Sequence, residues 1–121
     1  MEEEIEIMKL GMFGGSFNPP HNGHVVAAKE ALRRLSLDLL LWVPTGSPPH
    51  KTLPPGSPRA ERRFELCRLA VQGIDRMEVC GLEIEQKTRY TIDTVQALLT
   101  MYNPAELWLC LGGDMFLTLQ H

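Results

Sequence analysis

The chain has too few cysteines, too little positive charge and too short an apolar run for several whole classes of protein. Its three cysteines, Cys67, Cys80 and Cys110, are odd in number, form no C-x-x-C pair and sit in apolar surroundings. That pattern argues against a disulfide framework and for buried free thiols in a reducing, cytoplasmic setting. A net charge of -3, with a pI near 5.8, leaves no basic footprint for nucleic acid, so nucleic acid is not an expected partner. No apolar stretch approaches the roughly 18 residues of a spanning helix, and Met1-Glu2-Glu3-Glu4 is acidic where a signal peptide would be basic. The common phosphate-binding frames are missing too: there is no G-x-x-x-x-G-K-[ST] and no G-x-G-x-x-G.

What remains is 121 residues of ordinary globular composition, 44% hydrophobic and 22% charged. Such a length suits one domain with one core. Residues 5–13 read as a strand, ended by Gly14-Gly15 and the turn-prone Ser16-Phe17-Asn18-Pro19-Pro20. Val25, Ala28, Leu32 and Leu35 then recur at helical spacing from Asn22 onward. Leu39 to Val43 is a continuous apolar run of the kind found in strands covered on both faces.

Residues 44–58 hold six prolines and two glycines, which exclude both a helix and a central strand. A connection that long is a candidate functional loop. Ser57-Pro58 supplies an N-cap and a first-turn proline for a second helix reaching about Gly73. A third, weaker strand is expected near Met77 to Cys80, with an extension toward Ile84. Thr91 can cap a third helix carrying Ile92, Val95, Leu98, Leu99 and Tyr102, and Asn103-Pro104 closes it. Leu107 to Leu111 is a fourth strand, ending in Gly112-Gly113-Asp114.

This β-α-β-α-β-α-β order predicts an α/β fold: a Rossmann-like, doubly wound parallel sheet of order 3-2-1-4. Ligands in such sheets bind beyond the carboxyl ends of the strands, where the strand order reverses. Strands 1 and 4 meet there, and both end in paired glycines that admit close approach of a ligand to main chain.

The segment after strand 1 reads GGSFNPPHNGH, with His21 and His24 at the expected helix start. Unpaired helix N–H groups and two imidazoles make a corner suited to phosphate. By spacing alone, an H-x-x-H pair also reads as a capping detail, and without a Cys or carboxylate beside it makes a poor zinc site. His50-Lys51 reads either as solvated loop or as two cations delivered by a stiff segment. Tyr90 and Thr91 read equally as a strand-end aromatic and an N-cap, Asp93 as a helix-start charge, and Asp114 as the cap of a following helix. Trp42 and Trp108 are assigned to the core. Arg59, Arg62 and Arg63 oppose a helix dipole and are read as a solvated face.

The GGSFNPPHNGH segment resembles the H-x-G-H signature of the nucleotidyltransferase superfamily, specifically of bacterial nicotinate-nucleotide adenylyltransferases. Pro48-Pro49-His50-Lys51, Tyr90-Thr91-Ile92-Asp93-Thr94 and Leu111-Gly112-Gly113-Asp114 match that family in order, so the likeness runs from about Lys9 to Phe116. It implies adenylyl transfer from ATP to nicotinate mononucleotide, giving deamido-NAD and pyrophosphate without a covalent intermediate. By the same likeness His21, His24 and Lys51 would be catalytic. Gly14, Gly15, Ser16, Phe17, His21, His24, His50, Gly112 and Asp114 would hold ATP, and Tyr90 and Thr91 the pyridine nucleotide. Mg²⁺ would arrive bridging the ATP phosphates.

Members of the family continue through another strand to a C-terminal ATP-contacting motif. Residues 1–121 are therefore expected to be the N-terminal portion of one nucleotidyltransferase domain, with the C-terminal portion of the fold missing. The chain would end about one turn into the next helix and leave strand 4 an open edge. Two alternatives stay open at this point: another adenylyltransferase such as the phosphopantetheine enzyme, and a nucleotide-binding fragment without turnover. Oligomeric state is open as well.

Overall fold

A computed structural model describes residues 6–45, 55–85, 91–111 and 115–120. The first strand, β1 (Lys9–Gly15), begins where Asp38 clamps it. The Asp38 carboxylate accepts from the Met8 and Lys9 amides at 3.0 and 2.8 Å, and the Asp38 N–H donates back to the Lys9 carbonyl at 2.8 Å. The strand thus starts later than residue 5: Glu6 to Met8 are not in strand conformation, and ladder pairing begins at Lys9. Helix α1 (Asn22–Leu35) follows and ends on Ser36 in a left-handed conformation, φ 51°.

Next come β2 (Leu39–Pro44), α2 (Ala60–Val71), β3 (Met77–Val79), the single turn α3 (Leu82–Glu85), α4 (Thr91–Tyr102), β4 (Glu106–Leu111) and β5 (Met115–Gln120). The sheet order is β3-β2-β1-β4-β5. The first four strands are parallel in the expected 3-2-1-4 arrangement, with Gly11 opposite Leu40 on one side and Trp108 on the other. Beyond them β5 runs antiparallel to β4 with Leu109 opposite Leu117. The segment expected to start a helix is therefore a strand, and β4 is not an edge. Pairing with β4 decides this, a long-range interaction that overrides local propensity.

Alternation along the strands sends side chains to two separate cores. Phe13, Leu40 and Trp42 pack with Ala28 and Ala31 of α1 and Cys67 and Val71 of α2. On the other face, Leu10, Met12, Leu39, Leu41 and Val43 pack with Val95 and Leu98 of α4. Gly11 is glycine for a steric reason, since a Cβ there would lie 2.6 Å from Leu37 Cδ1 and 2.7 Å from Leu40 Cδ1. Cys67 and Cys110 are buried free thiols, as expected, and burial pushes them up to about 12 and about 11. At neutral pH both stay protonated and inert.

Two local expectations are corrected. Helix α2 starts at Ala60 with Arg59 as an N-cap that makes no side-chain cap bond, not at Pro58. The reason is that the Ser57 hydroxyl is engaged elsewhere, accepting from Asn18 Nδ2 at 3.0 Å. The third strand stops at Val79, and residues 82–85 form the turn α3. That turn buries Glu83, which accepts a 2.8 Å bond from the Thr94 hydroxyl in the first turns of α4.

Burial raises the Glu83 carboxyl above its ordinary 4.5, while the Thr94 bond works in the opposite direction. A folded-state pKa above the unfolded one gives a stabilising contribution fully present below pH 4.5 and lost as pH rises through the folded value. Glu83→Gln keeps an oxygen for Thr94 and removes the ionisation. It should match or exceed the parent's melting temperature at pH 7 and lose that advantage at pH 4. Glu83→Ala, which strands the buried Thr94 hydroxyl, should cost about 1–3 kcal/mol at both pH values. Parallel melting curves for the two variants check this, and equal pH dependence in Glu83→Gln and the parent would refute it.

Candidate functional site

β1 lies in the middle of the sheet with its carboxyl end aimed at the turn into α1. The Thr45 N–H donates to the Gly15 carbonyl at 2.9 Å, tying the ends of β1 and β2 together. Residues 13–19, with His21, Gly23, His24 and Ala27, line a cleft of about 610 Å³ at this corner. A larger groove, about 910 Å³, runs between α2 and β3 at the far edge of the sheet. It lies away from the strand-order reversal, and its Arg62 and Glu65 are paired with each other at 3.0 Å. The chemistry-bearing residues converge on the smaller cleft.

The first turn of α1 is built from a reciprocal pair of histidines. His21, the N-cap residue, accepts the Gly23 N–H on Nδ1 at 3.0 Å. His24 Nδ1 accepts the His21 N–H at 3.0 Å in turn. The arrangement is a capping box in which imidazoles do the work usually given to Ser and Glu. An Nδ1 that accepts carries no proton, so in this geometry both rings are neutral and present Nε2–H donors. The rings lie 3.9 Å apart, tilted by 33°. Gly23 leaves room for this His21 ring position: a Cβ would come within 2.8 Å of His21 Cε1 and 2.9 Å of its Nδ1, so a larger residue would push the ring off its cap.

No acidic side chain occupies the first turn of α1, so the positive end of its dipole is unopposed there. His24 is lowered from its ordinary 6.5, first by burial and then by the neighbouring His21. Its ring packs edge-on to Phe17 at 4.9 Å, and Phe17 stacks on the buried Trp42 at 5.2 Å. Phe17 holds a left-handed conformation, φ 49°, which is uncommon for an aromatic residue. The corner is therefore a row of donors mounted on a rigid aromatic base.

Of the residues singled out from sequence, Gly14, Gly15, Ser16, Phe17, His21 and His24 come together around this cleft. His50, Lys51, Tyr90, Gly112 and Asp114 lie outside the described residues. Thr91 opens α4, and Asp93 sits in its first turn as expected of a helix-start charge. The solvated arginine face is corrected at one of its three positions. Arg59 and Arg62 are exposed, but Arg63 is buried at 1% relative exposure. Arg63 Nη1 donates to the Ser16 carbonyl at 2.7 Å and its Nε to the Pro58 carbonyl at 3.3 Å. Position within a basic run gave no signal for this, because what removes Arg63 from water is the tertiary approach of α2 to the β1–α1 turn. Glu83 was missed as well.

A mostly parallel α/β sheet with an anion-ready helix start beyond its central strand has the doubly wound α/β layout expected from the sequence. The chain belongs to the cytidylyltransferase-like family, whose model matches residues 12–121. Among curated relatives, one from Shouchella clausii is 40% identical over 108 residues and one from Maridesulfovibrio salexigens 43% over 108, each match covering 88% of this chain. Both are named as nicotinate-nucleotide adenylyltransferases, and the matches cover 56% and 50% of their lengths. The chain thus spans about half the length of the curated relatives it matches.

Two solved structures share the fold. A Vibrio parahaemolyticus chain carrying the nicotinate-nucleotide adenylyltransferase name superposes with a TM-score of 0.67 at 23% identity, over 89% of this chain and 63% of its own. The Plasmodium falciparum nicotinic acid mononucleotide adenylyltransferase complexed with NaAD gives 0.71 at 14% identity, over 86% and 51%. Among the described residues no helix is long and apolar enough to cross a membrane.

Proposed function

We propose that this chain carries the catalytic corner of an enzyme that transfers the adenylyl group of ATP to nicotinate mononucleotide, forming deamido-NAD and pyrophosphate. The observation that carries this reading is the reciprocally capped His21–His24 pair, whose two Nε2–H donors stand at the unopposed N-terminus of α1. The names of the relatives support the choice of nicotinate mononucleotide as substrate.

In the reaction a 5′-phosphate oxygen of the mononucleotide attacks the α-phosphorus of ATP, and the bond from that phosphorus to the bridging oxygen of pyrophosphate breaks. Negative charge builds on the α-phosphate oxygens and on the leaving group. Neutral Nε2–H donors fixed in advance stabilise that charge without reorganising, and neither histidine acts as a nucleophile. Gly14, Gly15, Ser16 and Phe17 line the cleft that would receive the nucleotide. The family resemblance assigns His50 and Lys51 to the ATP phosphates, and Gly112 and Asp114 to ATP, with the Asp114 carboxylate accepting from a ribose hydroxyl. The same resemblance assigns Tyr90 and Thr91 to the pyridine nucleotide.

Among the described residues no three His, Cys, Asp or Glu side chains gather as a metal site. Mg²⁺ arriving with ATP would supply positive charge that offsets the charge of the phosphates.

The test is pyrophosphate release from ATP and Mg²⁺ with nicotinate mononucleotide, nicotinamide mononucleotide or phosphopantetheine offered separately. Release with the nicotinate substrate is the expected result. Release only with phosphopantetheine would reassign the substrate. Silence with all three from a folded chain that still binds ATP would make it a nucleotide-binding unit without turnover.

A further inference from the structure

Arg63 is the only buried basic side chain among the described residues, and the proposed chemistry leaves it without a role. Its guanidinium spans two pieces of main chain far apart in sequence: the Ser16 carbonyl at 2.7 Å and the Pro58 carbonyl at 3.3 Å. Ser16 is the first residue after β1, and Pro58 is the last residue of the proline-rich connection. A second tie runs between the same two segments, from Asn18 Nδ2 to Ser57 Oγ at 3.0 Å. Between these ties sits Phe17 in its left-handed conformation, on which the His24 ring rests. A non-glycine residue in that conformation persists only where its surroundings over-determine it.

We propose that Arg63 is a positioning residue for the phosphate corner. It holds the Ser16 carbonyl against α2 and so fixes the orientation of the next peptide, the left-handed turn at Phe17 and, through the Phe17 ring, the place of His24. In a trans peptide the carbonyl and the following N–H point to opposite sides. Pinning the Ser16 oxygen on Arg63 therefore directs the Phe17 N–H away from α2. Because the same guanidinium also holds the Pro58 carbonyl, α2 sets the β1–α1 turn and the end of the 44–58 connection as one unit. Arginine suits the post because a planar fork with several donors reaches two carbonyls at once, whereas lysine offers a point charge.

The kinetic part of this inference rests on the adenylyl-transfer reading; the positional part does not. Arg63→Met, Arg63→Lys and the exposed control Arg62→Ala are compared by two readouts. In the ligand-free chain, long-range ¹H–¹⁵N spectra report the tautomer and setting of the His21 and His24 rings. In the presence of ATP, Mg²⁺ and nicotinate mononucleotide, kcat and KM are separated.

Arg63→Met should shift or average the imidazole signals and lower kcat by roughly 10- to 100-fold, the penalty for a displaced reacting geometry, with a smaller change in KM for ATP. Arg63→Lys should fall between Met and the parent, and Arg62→Ala should match the parent. A folded Arg63→Met with parental imidazole signals and kcat within twofold overturns the assignment, as does lost thermal stability with unchanged kinetics. If Arg63→Met does not fold, Arg63→Lys decides: parental spectra and kinetics overturn the assignment, and an intermediate loss supports it. A parent that does not turn over refutes the adenylyl-transfer reading instead, and the imidazole spectra alone then decide on Arg63.

Discussion

His24→Ala should lower kcat/KM by about 10²- to 10³-fold in the pyrophosphate-release assay, the usual loss when one preorganised donor to a developing oxyanion is removed. Three functions disappear with the ring. One is its Nε2–H donor. Another is the acceptor for the His21 N–H, so the first turn of α1 loses half of its capping box. The third is the edge contact with Phe17. Cap loss of this kind costs about 0.5–2 kcal/mol of stability, so the variant should stay folded and the activity loss should exceed any loss of folded population.

The pH profile gives an independent handle on the same residue. His24 is lowered below 6.5 in the folded chain, by burial and by His21. A folded-state pKa below the unfolded one contributes stability that is complete above pH 6.5 and lost as pH falls through the folded value. Protonation also places a hydrogen on Nδ1, where the His21 N–H now points. The parent should therefore lose activity on an acid limb centred below pH 6.5, and the residual activity of His24→Ala should lack that limb. An alanine variant within tenfold of the parent across pH 5 to 8 would refute the donor role.

Sequence was most informative where local pattern and tertiary outcome share a cause. Strand alternation is one such case: Leu10 and Met12 face one core and Phe13 the other because successive side chains alternate, and the same holds for Leu39 to Val43. His21 and His24 were legible as well, since a helix start fixes what residues three apart can do. Why Gly23 separates them was not, because the clash it avoids needs the His21 rotamer.

Features that depend on chain segments meeting from afar escaped local reading. Ser57 looked like a cap but accepts from Asn18, which lies 39 residues away. Arg63 looked solvated but reaches Ser16, 47 residues away. Residues 115–120 looked like a helix start until β4 offered them a ladder. In each case one polar group or one strand edge had two available partners, and the distant one won.

Trp42→Ala should destabilise the fold by about 3–5 kcal/mol, the range for deleting a fully buried large aromatic. Trp42 is completely buried, sits between Phe13 at 5.3 Å and Phe17 at 5.2 Å, and belongs to the core that joins β2 to α1 and α2. Against a typical total of roughly 5–15 kcal/mol, that is enough to leave a sizeable unfolded fraction at moderate temperature. Trp42→Phe should cost much less than the alanine change. The smaller ring keeps an aromatic face for Phe17, and it also removes the indole N–H, which has no hydrogen-bond partner among the described residues. An unpaired buried donor of that kind carries a penalty of about 1–3 kcal/mol. Denaturant unfolding of both variants, followed by circular dichroism, separates these contributions. Equal losses for phenylalanine and alanine would mean that the indole's specific shape, rather than apolar volume, holds the core. A folded Trp42→Phe variant with reduced kcat would show that the aromatic base under Phe17 also sets the position of His24.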